Sequence, residues 1–311
     1  MIIRNYREED CRDIFALYNE VMAADRVDYD FFIRHLLLSP NFSADGLFIA
    51  EEQGGIKGWC LGETVVRNFD PWGEHVNKNR GCGFIMPLAV QEYETGKCLI
   101  EAAEKYLADR KCCRIRCAVP GYTLFPNGIA QETYPLIHRI ISESGYEISE
   151  YSCSMGRSLT DYVTPENIRY AAEKLAEQGI YADSCCIDDL QGLRKLLFES
   201  DLKNWMHLPL RKADEKKLDE AVVLRGNGKI FGYCQYNYFG TADRIGPFGI
   251  APEMRGNGAG TVMIARLLEI MAGKKFERAW FASCSEKLVP FYEKNGFKVF
   301  RKKSVFEKNL E

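Results

Sequence analysis

The segment Arg255-Gly256-Asn257-Gly258-Ala259-Gly260 has the residue types of a loop that binds phosphate groups. Its three glycines let the backbone turn tightly and bring its N–H groups close to a bound anion. An apolar run at residues 245–250 predicts a preceding strand, and apolar residues at helical spacing predict a following helix. Because the first N–H groups of a helix lie unpartnered at the positive end of its dipole, a helix beginning here suits phosphate oxygens. The apolar helix positions are Ile264, Leu267, Leu268 and Met271.

Two well-known phosphate loops do not fit this segment. The dinucleotide fingerprint requires glycine at its first, third and sixth positions, and the sixth position here is Thr261. The mononucleotide loop ends in Gly-Lys-Ser/Thr, and the chain contains no such triplet. The pattern that remains is Arg-x-x-Gly-x-Gly.

A second segment, Pro290-Phe291-Tyr292-Glu293-Lys294-Asn295-Gly296-Phe297, follows the predicted helix. With the first segment and the preceding Gly249-Ile250-Ala251-Pro252, it resembles the two signatures of the Gcn5-related N-acetyltransferases (GNAT family). The second signature is usually written Phe/Leu-Tyr-Glu-x-x-Gly-Phe. The resemblance implies that the loop binds the pyrophosphate of coenzyme A, mainly through backbone N–H groups. Arg255 either adds positive charge there or is a solvated surface arginine.

The resemblance also implies direct acetyl transfer from a thioester to an amine. Tyr292 matches the family position whose hydroxyl faces the thioester sulfur and protonates the departing thiolate. The alternative is a core aromatic residue, because Phe291, Tyr292 and Phe297 form one apolar cluster in the sequence. Since a thiol pKa lies near 8.5, a thiolate leaves fairly well, and loss of this acid should slow the reaction rather than abolish it.

The oxyanion stabiliser that the resemblance implies is a backbone N–H of Phe248, Gly249 or Ile250, on the strand before the loop. The family separates two strands beside this one to admit the pantetheine arm of the cofactor. Gly246 and Pro247 fit an interrupted ladder, because proline cannot donate and glycine permits close approach. A simple bulge has the same composition.

The general base and one further cofactor contact complete the implied site. An amine is protonated at neutral pH, so a carboxylate or an ordered-water chain must remove its proton. Asp243 matches the family's occasional glutamate base, and the alternative is a hairpin-turn aspartate in Gly240-Thr241-Ala242-Asp243. Ser285 stands seven residues before Tyr292, where the family often has asparagine, and it is predicted to lie at the cofactor.

The composition is that of an ordinary globular protein with two domains. The chain has 311 residues, of which 46% are hydrophobic and 27% charged, enough for two separate cores. A formal net charge of −3 argues against a dedicated nucleic-acid binder. Short apolar runs and the lack of a secretory signal predict a cytoplasmic protein without a membrane partner. The twelve cysteines and four histidines lack ligand spacing, so we predict buried, reduced cysteines and no metal site.

Comparison of the chain with itself shows a degenerate repeat. Each half reads as a strand, a helix, a glycine-containing hairpin, a strand, a helix, a strand, a helix ending in glycine plus an aromatic residue, and a final strand. The sequence therefore predicts an α+β fold of two tandem GNAT-like domains, each a mixed, mostly antiparallel twisted sheet flanked by helices. The predicted domains are residues 1–160, the degenerate copy, and 161–311, the copy with the intact coenzyme A loop. A helix at 165–177, with Thr164 as N-cap, is expected to connect them.

In the first copy the corresponding loop has lost its motif. If Gly96 takes the fourth position, Tyr93 replaces the basic residue and Cys98 replaces the last glycine. Glu92 and Glu94 then lie where a pyrophosphate brings negative charge. One solvated pair of charges costs roughly 1 kcal/mol, so a single carboxylate would not abolish binding, but the lost glycine is a steric objection as well. We expect this copy not to bind coenzyme A productively. The role implied by tandem family members is to complete the substrate cleft.

Acceptor recognition is expected at residues 201–210, which form the acceptor wall in this family. Trp205 and His207 are candidates there, although a tryptophan between leucines is more often part of a core. The long connection at 67–80 predicts a lid or an insertion, and the turn-rich residues 122–128 predict a specificity loop.

The resemblance as a whole implies a cytoplasmic N-acetyltransferase that transfers an acetyl group from acetyl-CoA to a primary amine of a small molecule. The two-domain layout is similar to that of mycothiol synthase-type proteins, and the sequence leaves the oligomeric state open. One alternative is a non-catalytic acyl-CoA-binding interaction or regulatory module, which binds the cofactor without turnover. Another is aminoacyl transfer from charged tRNA, which does not need an intact pyrophosphate loop.

Overall fold

The computed structural model describes residues 1–119 and 125–310. The chain divides into two compact units, each built from separate segments. The first unit consists of Met1–Phe69, Glu74–Cys153 and the chain from Arg301 onward, and the second of Asp70–Gly73 and Ser154–Phe300. The last strand thus begins in the second unit and continues in the first. A single division of the chain at residue 160 does not describe this arrangement. Domain boundaries at 160 and 161 stay a prediction.

The secondary structure follows the predicted order of strands and helices. The strands are β1 Ile2–Asn5, β2 Leu47–Glu52, β3 Gly55–Thr64, β4 Cys82–Val90, β5 Arg114–Cys117, β6 Glu147–Ser158, β7 Ile180–Ser184, β8 Ala221–Gly226, β9 Lys229–Gln235, β10 Phe248–Ile250, β11 Arg278–Ser285 and β12 Lys298–Asn309. The α-helices are α1 Cys11–Val21, α2 Tyr29–Phe32, α3 His75–Lys78, α4 Tyr93–Asp109, α5 Pro135–Glu143, α6 Glu166–Glu177, α7 Asp189–Glu199, α8 His207–Asp214, α9 Ala259–Gly273 and α10 Val289–Lys294. Among the described residues, no helix has the length and apolar character needed to cross a membrane.

The first unit is built on a sheet with the strand order β1-β2-β3-β4-β5-β12-β6. Strands β1 to β4 pair antiparallel, as do β12 and β5, whereas β4 and β5 are parallel. Helix α1 covers this sheet, and the buried indole Nε1 of Trp59 donates a hydrogen bond of 2.9 Å to the carbonyl of Ile14. The pairing of β4 with β5 covers Cys82 to Phe84, so the rest of β4 runs apart from β5.

The second unit is built on the antiparallel sheet β7-β8-β9-β10. Strand β11 lies next to the last residues of β6, where the Ser154 hydroxyl donates to the Ala282 carbonyl at 2.7 Å. Helix α9 packs on the sheet through its predicted apolar face. None of the four side chains on that face, Ile264, Leu267, Leu268 and Met271, is more than 1% exposed. Mixed, mostly antiparallel sheets with flanking helices confirm the predicted fold class.

Helix α6 precedes β7 and differs from its prediction at the first turn. Pro165, and not Thr164, occupies the N-cap position, which corrects the predicted cap. The Thr164 hydroxyl donates a short hydrogen bond to the carboxylate of Glu269 on α9 instead. This bond fastens the start of α6 to α9.

The sequence predicted a lid or insertion at residues 67–80 and a specificity loop at residues 122–128. Residues 67–80 contain α3, and Trp72 within them packs against the apolar cluster of the second unit that includes Leu193, Leu197 and Tyr233. The predicted specificity loop at 122–128 lies outside the described residues up to position 124. From there Phe125 is buried, with its ring centroid 5.4 Å from that of Tyr18.

Candidate functional site

Strands β10 and β11 approach each other and then separate. The Ile245 N–H donates to the carbonyl of Trp280 at 2.8 Å, just before β10 begins. From Phe248 onward, β10 has β9 as its only strand partner in the described chain. Gly246 and Pro247 lie at the point of separation, where proline has no N–H to continue the ladder. A gap between β10 and β11 follows from this geometry.

The N–H groups of Phe248 and Ile250 point towards this gap. The Ala251 N–H donates to the carbonyl of Phe231 on β9 at 2.7 Å. Because bonded and non-bonded positions alternate along an antiparallel ladder, Gly249 also faces β9, and its two neighbours on the strand face the other way. Two of the three amides named for the oxyanion therefore have the orientation to bind a ligand.

The loop between β10 and α9 presents a row of N–H groups. Gly256 and Gly258 have φ values of +84° and +85°, in the left-handed region that favours glycine. The first backbone bond of the helix runs from the Val262 N–H to the Gly258 carbonyl at 3.0 Å. Within the described residues, no protein acceptor bonds to the N–H groups of Gly256, Asn257, Gly258, Gly260 or Thr261. Such a row at a helix N-terminus is suited to the oxygens of a phosphate or pyrophosphate.

Asn257 supports the loop from within. Its Oδ1 accepts a hydrogen bond of 3.2 Å from the Ala259 N–H, so this amide is used inside the protein. The Nε of Arg255 donates to the Ile250 carbonyl at 3.4 Å, and the arginine is otherwise exposed. The side chain of Arg255 therefore lies beside the loop, where its charge favours an anion.

Two aromatic rings connect the loop to α10. A β-carbon placed on Gly260 would lie 3.4 Å from the ring of Phe291 and 3.5 Å from the ring of Phe248. The rings of Phe248 and Phe291 have their centroids 5.5 Å apart. The two sequence segments that carry the resemblance thus meet in space, around the gap beside β10.

Tyr292 lies in this aromatic cluster and is 7% exposed. Its ring centroid is 4.4 Å from that of Phe281 and 6.2 Å from that of Phe248. Burial raises the pKa of the Tyr292 phenol above its usual value, so the hydroxyl stays protonated at neutral pH. That hydroxyl makes no hydrogen bond to any described residue.

Ser285 is the last residue of β11 and is exposed. It takes the N-cap position of a short 3₁₀ turn, Glu286–Leu288, without a side-chain capping bond. The structure thus places Ser285 at the carboxyl end of the strand that borders the gap.

Asp243 is engaged by two donors, which counts against the predicted general base. Its Oδ2 accepts from the Arg278 Nε at 2.5 Å, and its Oδ1 accepts from the Trp280 Nε1 at 2.8 Å. Both oxygens of the carboxylate are therefore already engaged as acceptors within the protein. The geometry favours the alternative interpretation, a structural aspartate.

Trp205 lies directly on β10. A β-carbon on Gly249 would be 2.9 Å from the Cζ3 of Trp205 and 3.4 Å from the Cδ1 of Leu202. Trp205 is half-buried and packs against the apolar cluster of the second unit. His207 is the first residue of α8, and its Nδ1 lies 2.7 Å from the carbonyl of Asn204 in the preceding turn. Trp205 is thus in contact with the strand that borders the gap.

In the described part of the first unit, no long glycine loop separates the corresponding strand from its helix. Strand β4 ends at Val90 and α4 begins at Tyr93, so Gln91 and Glu92 are the whole connection. Gly96, aligned above with the fourth motif position, lies inside α4, where a β-carbon would meet Ile140 at 2.5 Å. That alignment is corrected: the loop is missing rather than substituted, because the strand leads into the helix after two residues. In the second unit the connection runs from Ala251 to Gly258.

Residues 190–297 match the sequence model of the acetyltransferase (GNAT) family. This part of the chain is a GNAT-family domain. It contains β10, the glycine loop, α9, β11 and α10, the elements described above around the gap. No curated protein matches the chain.

Three solved structures share the fold over nearly the whole chain. The GCN5-related glucosamine N-acetyltransferase region of a fungal multi-domain GH3 β-N-acetylglucosaminidase has 16% identity and a TM-score of 0.77, covering 99% of this chain and 38% of that one. A GCN5-related N-acetyltransferase from Sphaerobacter thermophilus has 14% identity and a TM-score of 0.69, covering 99% and 95%. A tandem GNAT protein from the clavulanic acid biosynthesis pathway has 12% identity and a TM-score of 0.59, covering 99% and 98%. The chain therefore has a tandem GNAT fold, and it spans 38% of the length of the fungal protein.

The sequence shows both GNAT signatures, but two features that shape the site could not be read from it. The packing of Trp205 on Gly249 joins residues far apart in the sequence, and glycine in a strand was the only available signal. The direction of each amide on β10 depends on its register with β9, which a sequence does not give.

Proposed function

We propose that this chain is an N-acetyltransferase that transfers an acetyl group from acetyl-CoA to a primary amine. The observation that carries the proposal is the set of unused N–H groups of the loop, next to the gap beside β10. They belong to Gly256, Asn257, Gly258, Gly260 and Thr261. Pyrophosphate would bind at this row, and the pantetheine arm would enter the gap. The amide groups of Phe248 and Ile250 then face the thioester.

The reaction follows from these positions. A neutral amine attacks the acetyl carbonyl carbon, a C–N bond forms, and the electron pair moves to the carbonyl oxygen. N–H groups of β10 donate to this oxyanion. As the intermediate collapses, the C–S bond breaks and Tyr292 donates its proton to the thiolate. The nitrogen releases its extra proton to water, and water returns a proton to the Tyr292 phenolate. The products are the N-acetylated amine and coenzyme A with a free thiol.

Removal of the amine proton is assigned to ordered water rather than to Asp243. The ion pair with Arg278 and the bond from Trp280 hold the Asp243 carboxylate in place at the start of the gap. Asp243 as general base stays a prediction with a direct test, given below. Ser285 and Arg255 are proposed as cofactor contacts at the two ends of the site.

The second unit is the proposed catalytic one. The two-residue connection Gln91–Glu92 in the first unit leaves no loop around a pyrophosphate. We propose one coenzyme A site per chain, a small-molecule acceptor and a cytoplasmic location. Free thiols support the last point, because Cys113 and Cys186 are exposed and unpaired, as is usual in a reducing compartment.

Two other functions make different predictions. A non-catalytic acyl-CoA-binding module would bind acetyl-CoA without turnover of any amine. An aminoacyl transferase acting on charged tRNA would need no pyrophosphate site, and the intact loop of the second unit favours it least. The test is a calorimetric titration of the protein with acetyl-CoA, followed by measurement of thiol release with a library of small amines. One site with release of thiol supports the proposal, one site without release supports the binding module, and absence of binding contradicts both.

A further inference from the structure

Helix α6 extends to the phosphate loop, although it lies before the GNAT-family match at residues 190–297. A β-carbon placed on Gly258 would be 3.7 Å from the Cβ of Ala171 on α6. The bond from Thr164 to Glu269 holds the start of α6 against α9. Helix α6 therefore borders the loop.

The position of Ala171 identifies the side of α6 that continues outward from the loop. Ile168 and Leu175 are buried and mark the face that packs on the unit. At 3.6 residues per turn, Ala171 lies at the edge of the buried face, next to Leu175 on the helix circumference. The residues beyond Ala171 on that side lie progressively further from the buried face. The residues on this flank are Asn167, Lys174 and Tyr170, all of them exposed.

Tyr170 is the most unusual residue of this flank, with 60% of its surface exposed. Its ring has no place in the apolar face of α6, and the Nζ of Lys174 lies 5.5 Å from its centroid. Lys174 pairs with Glu177 at 2.9 Å, but an exposed pair of this kind is weak and leaves the ammonium available. An aromatic ring and a cation thus lie together on the helix that borders the glycine loop.

We infer that this flank of α6 binds the nucleotide end of coenzyme A, with the adenine stacked on Tyr170 and a phosphate near Lys174. Bases stack on exposed aromatic side chains because every base has a π face, and a nearby cation stabilises the attached phosphates. The inference rests on the proposed function, since it requires coenzyme A at the loop. It assigns part of the cofactor site to a helix outside residues 190–297, the part that matches the GNAT family.

The test compares two ligands that differ only in the nucleotide. Acetyl-CoA and S-acetyl-4′-phosphopantetheine are titrated by calorimetry into wild type, Tyr170→Ala and Tyr170→Phe. Tyr170→Ala should weaken acetyl-CoA roughly 10-fold, the scale of one base on an aromatic ring. It should leave the shorter ligand unchanged, and Tyr170→Phe should bind both ligands like wild type.

Tyr181→Ala is the matched control, because Tyr181 on β7 is 55% exposed and touches α6 through a bond from its hydroxyl to the Ala176 carbonyl. This variant tests whether a slight loosening of α6 is enough to weaken binding, and we expect no change. Equal weakening of both ligands by Tyr170→Ala, or no weakening, overturns the inference. A loss in Lys294→Ala instead would place the nucleotide at α10 and also overturn it. Failure of wild type to bind either ligand would reject the proposed function itself, which separates the two outcomes.

Discussion

The indole ring of Trp205 occupies the space that any side chain at position 249 would need, because a β-carbon on Gly249 would lie 2.9 Å from its Cζ3. Gly249 is the residue between the two amides that face the gap. The glycine therefore lets an aromatic ring rest on the strand where the acetyl group is proposed to react. Trp205 is in this way tied to the geometry of the proposed transfer step.

Gly249→Ala should displace the Trp205 ring and reduce both stability and activity. Overpacking of this kind typically destabilises a protein by about 1–3 kcal/mol. We expect a lower kcat/KM for the amine and little change in the Kd for acetyl-CoA, measured by steady-state kinetics and calorimetry. The control is Gly273→Ala at the end of α9, where a β-carbon would have no neighbour within 4 Å. Wild-type kinetics in Gly249→Ala would show that Trp205 is not part of the acceptor side.

Tyr292→Phe should lower kcat roughly 10- to 100-fold, at or below the lower end of the range for general acids, because a thiolate is a fair leaving group. Phenylalanine keeps the ring contact with Phe281, so the Kd for acetyl-CoA should not change. Tyr236→Phe, a buried tyrosine outside the site, serves as the control and should retain full kcat. An unchanged kcat in Tyr292→Phe would assign Tyr292 to the core alone.

The pH dependence of the rate should rise towards alkaline pH and show no decline due to Tyr292. Burial raises the pKa of Tyr292, so its acidic form persists beyond the usual tyrosine range near 10. Below that pH, activity increases as the amine substrate loses its proton. Profiles of kcat/KM for wild type and Tyr292→Phe should therefore have the same shape between pH 6 and about 9.5 and differ in height. An alkaline decline that is present in wild type and absent from the variant would contradict this assignment.

Asp243→Asn should leave kcat within about 3-fold of wild type, because general-base effects are much larger, on the order of 100-fold or more. Its structural cost should also be small, since the Arg278 partner is largely exposed and exposed ion pairs contribute about 0–1 kcal/mol. The measurements are steady-state kinetics and thermal unfolding. Asp219→Asn, which removes an exposed pair with Lys274, is the matched control. A fall of 100-fold or more in Asp243→Asn alone would restore Asp243 as the base.

The sequence was sufficient where the structure depends on local patterns. Glycine spacing at Gly256 and Gly258 and the apolar face of α9 predicted a strand, a loop and a helix, because turns and helices form from neighbouring residues. The second signature around Tyr292 added the element on the other side of the gap. The fold class followed from the repeat of these patterns in both halves.

Three features could not be predicted because they depend on distant residues. Asp243 is engaged by Arg278 and Trp280, whose position next to it arises only when the strands pair. Gly96 had a loop-like neighbourhood in the sequence, but the helix of the first unit begins three residues earlier, at Tyr93. Strand β12 begins in the second unit and ends in the first, where it pairs with β5, and this pairing joins residues far apart in the sequence.

The most direct test of the account is calorimetric titration of acetyl-CoA into wild type, Gly256→Glu and Gly54→Glu. Both glycines have left-handed φ, +84° and +76°, and open space around a β-carbon, so the backbone penalty of glutamate should be similar in each. Only the carboxylate at position 256 would oppose a pyrophosphate, and binding should weaken at least 10-fold there. The account predicts one site per chain in wild type and Gly54→Glu, and little or no binding in Gly256→Glu. Equal affinity in all three proteins would contradict it.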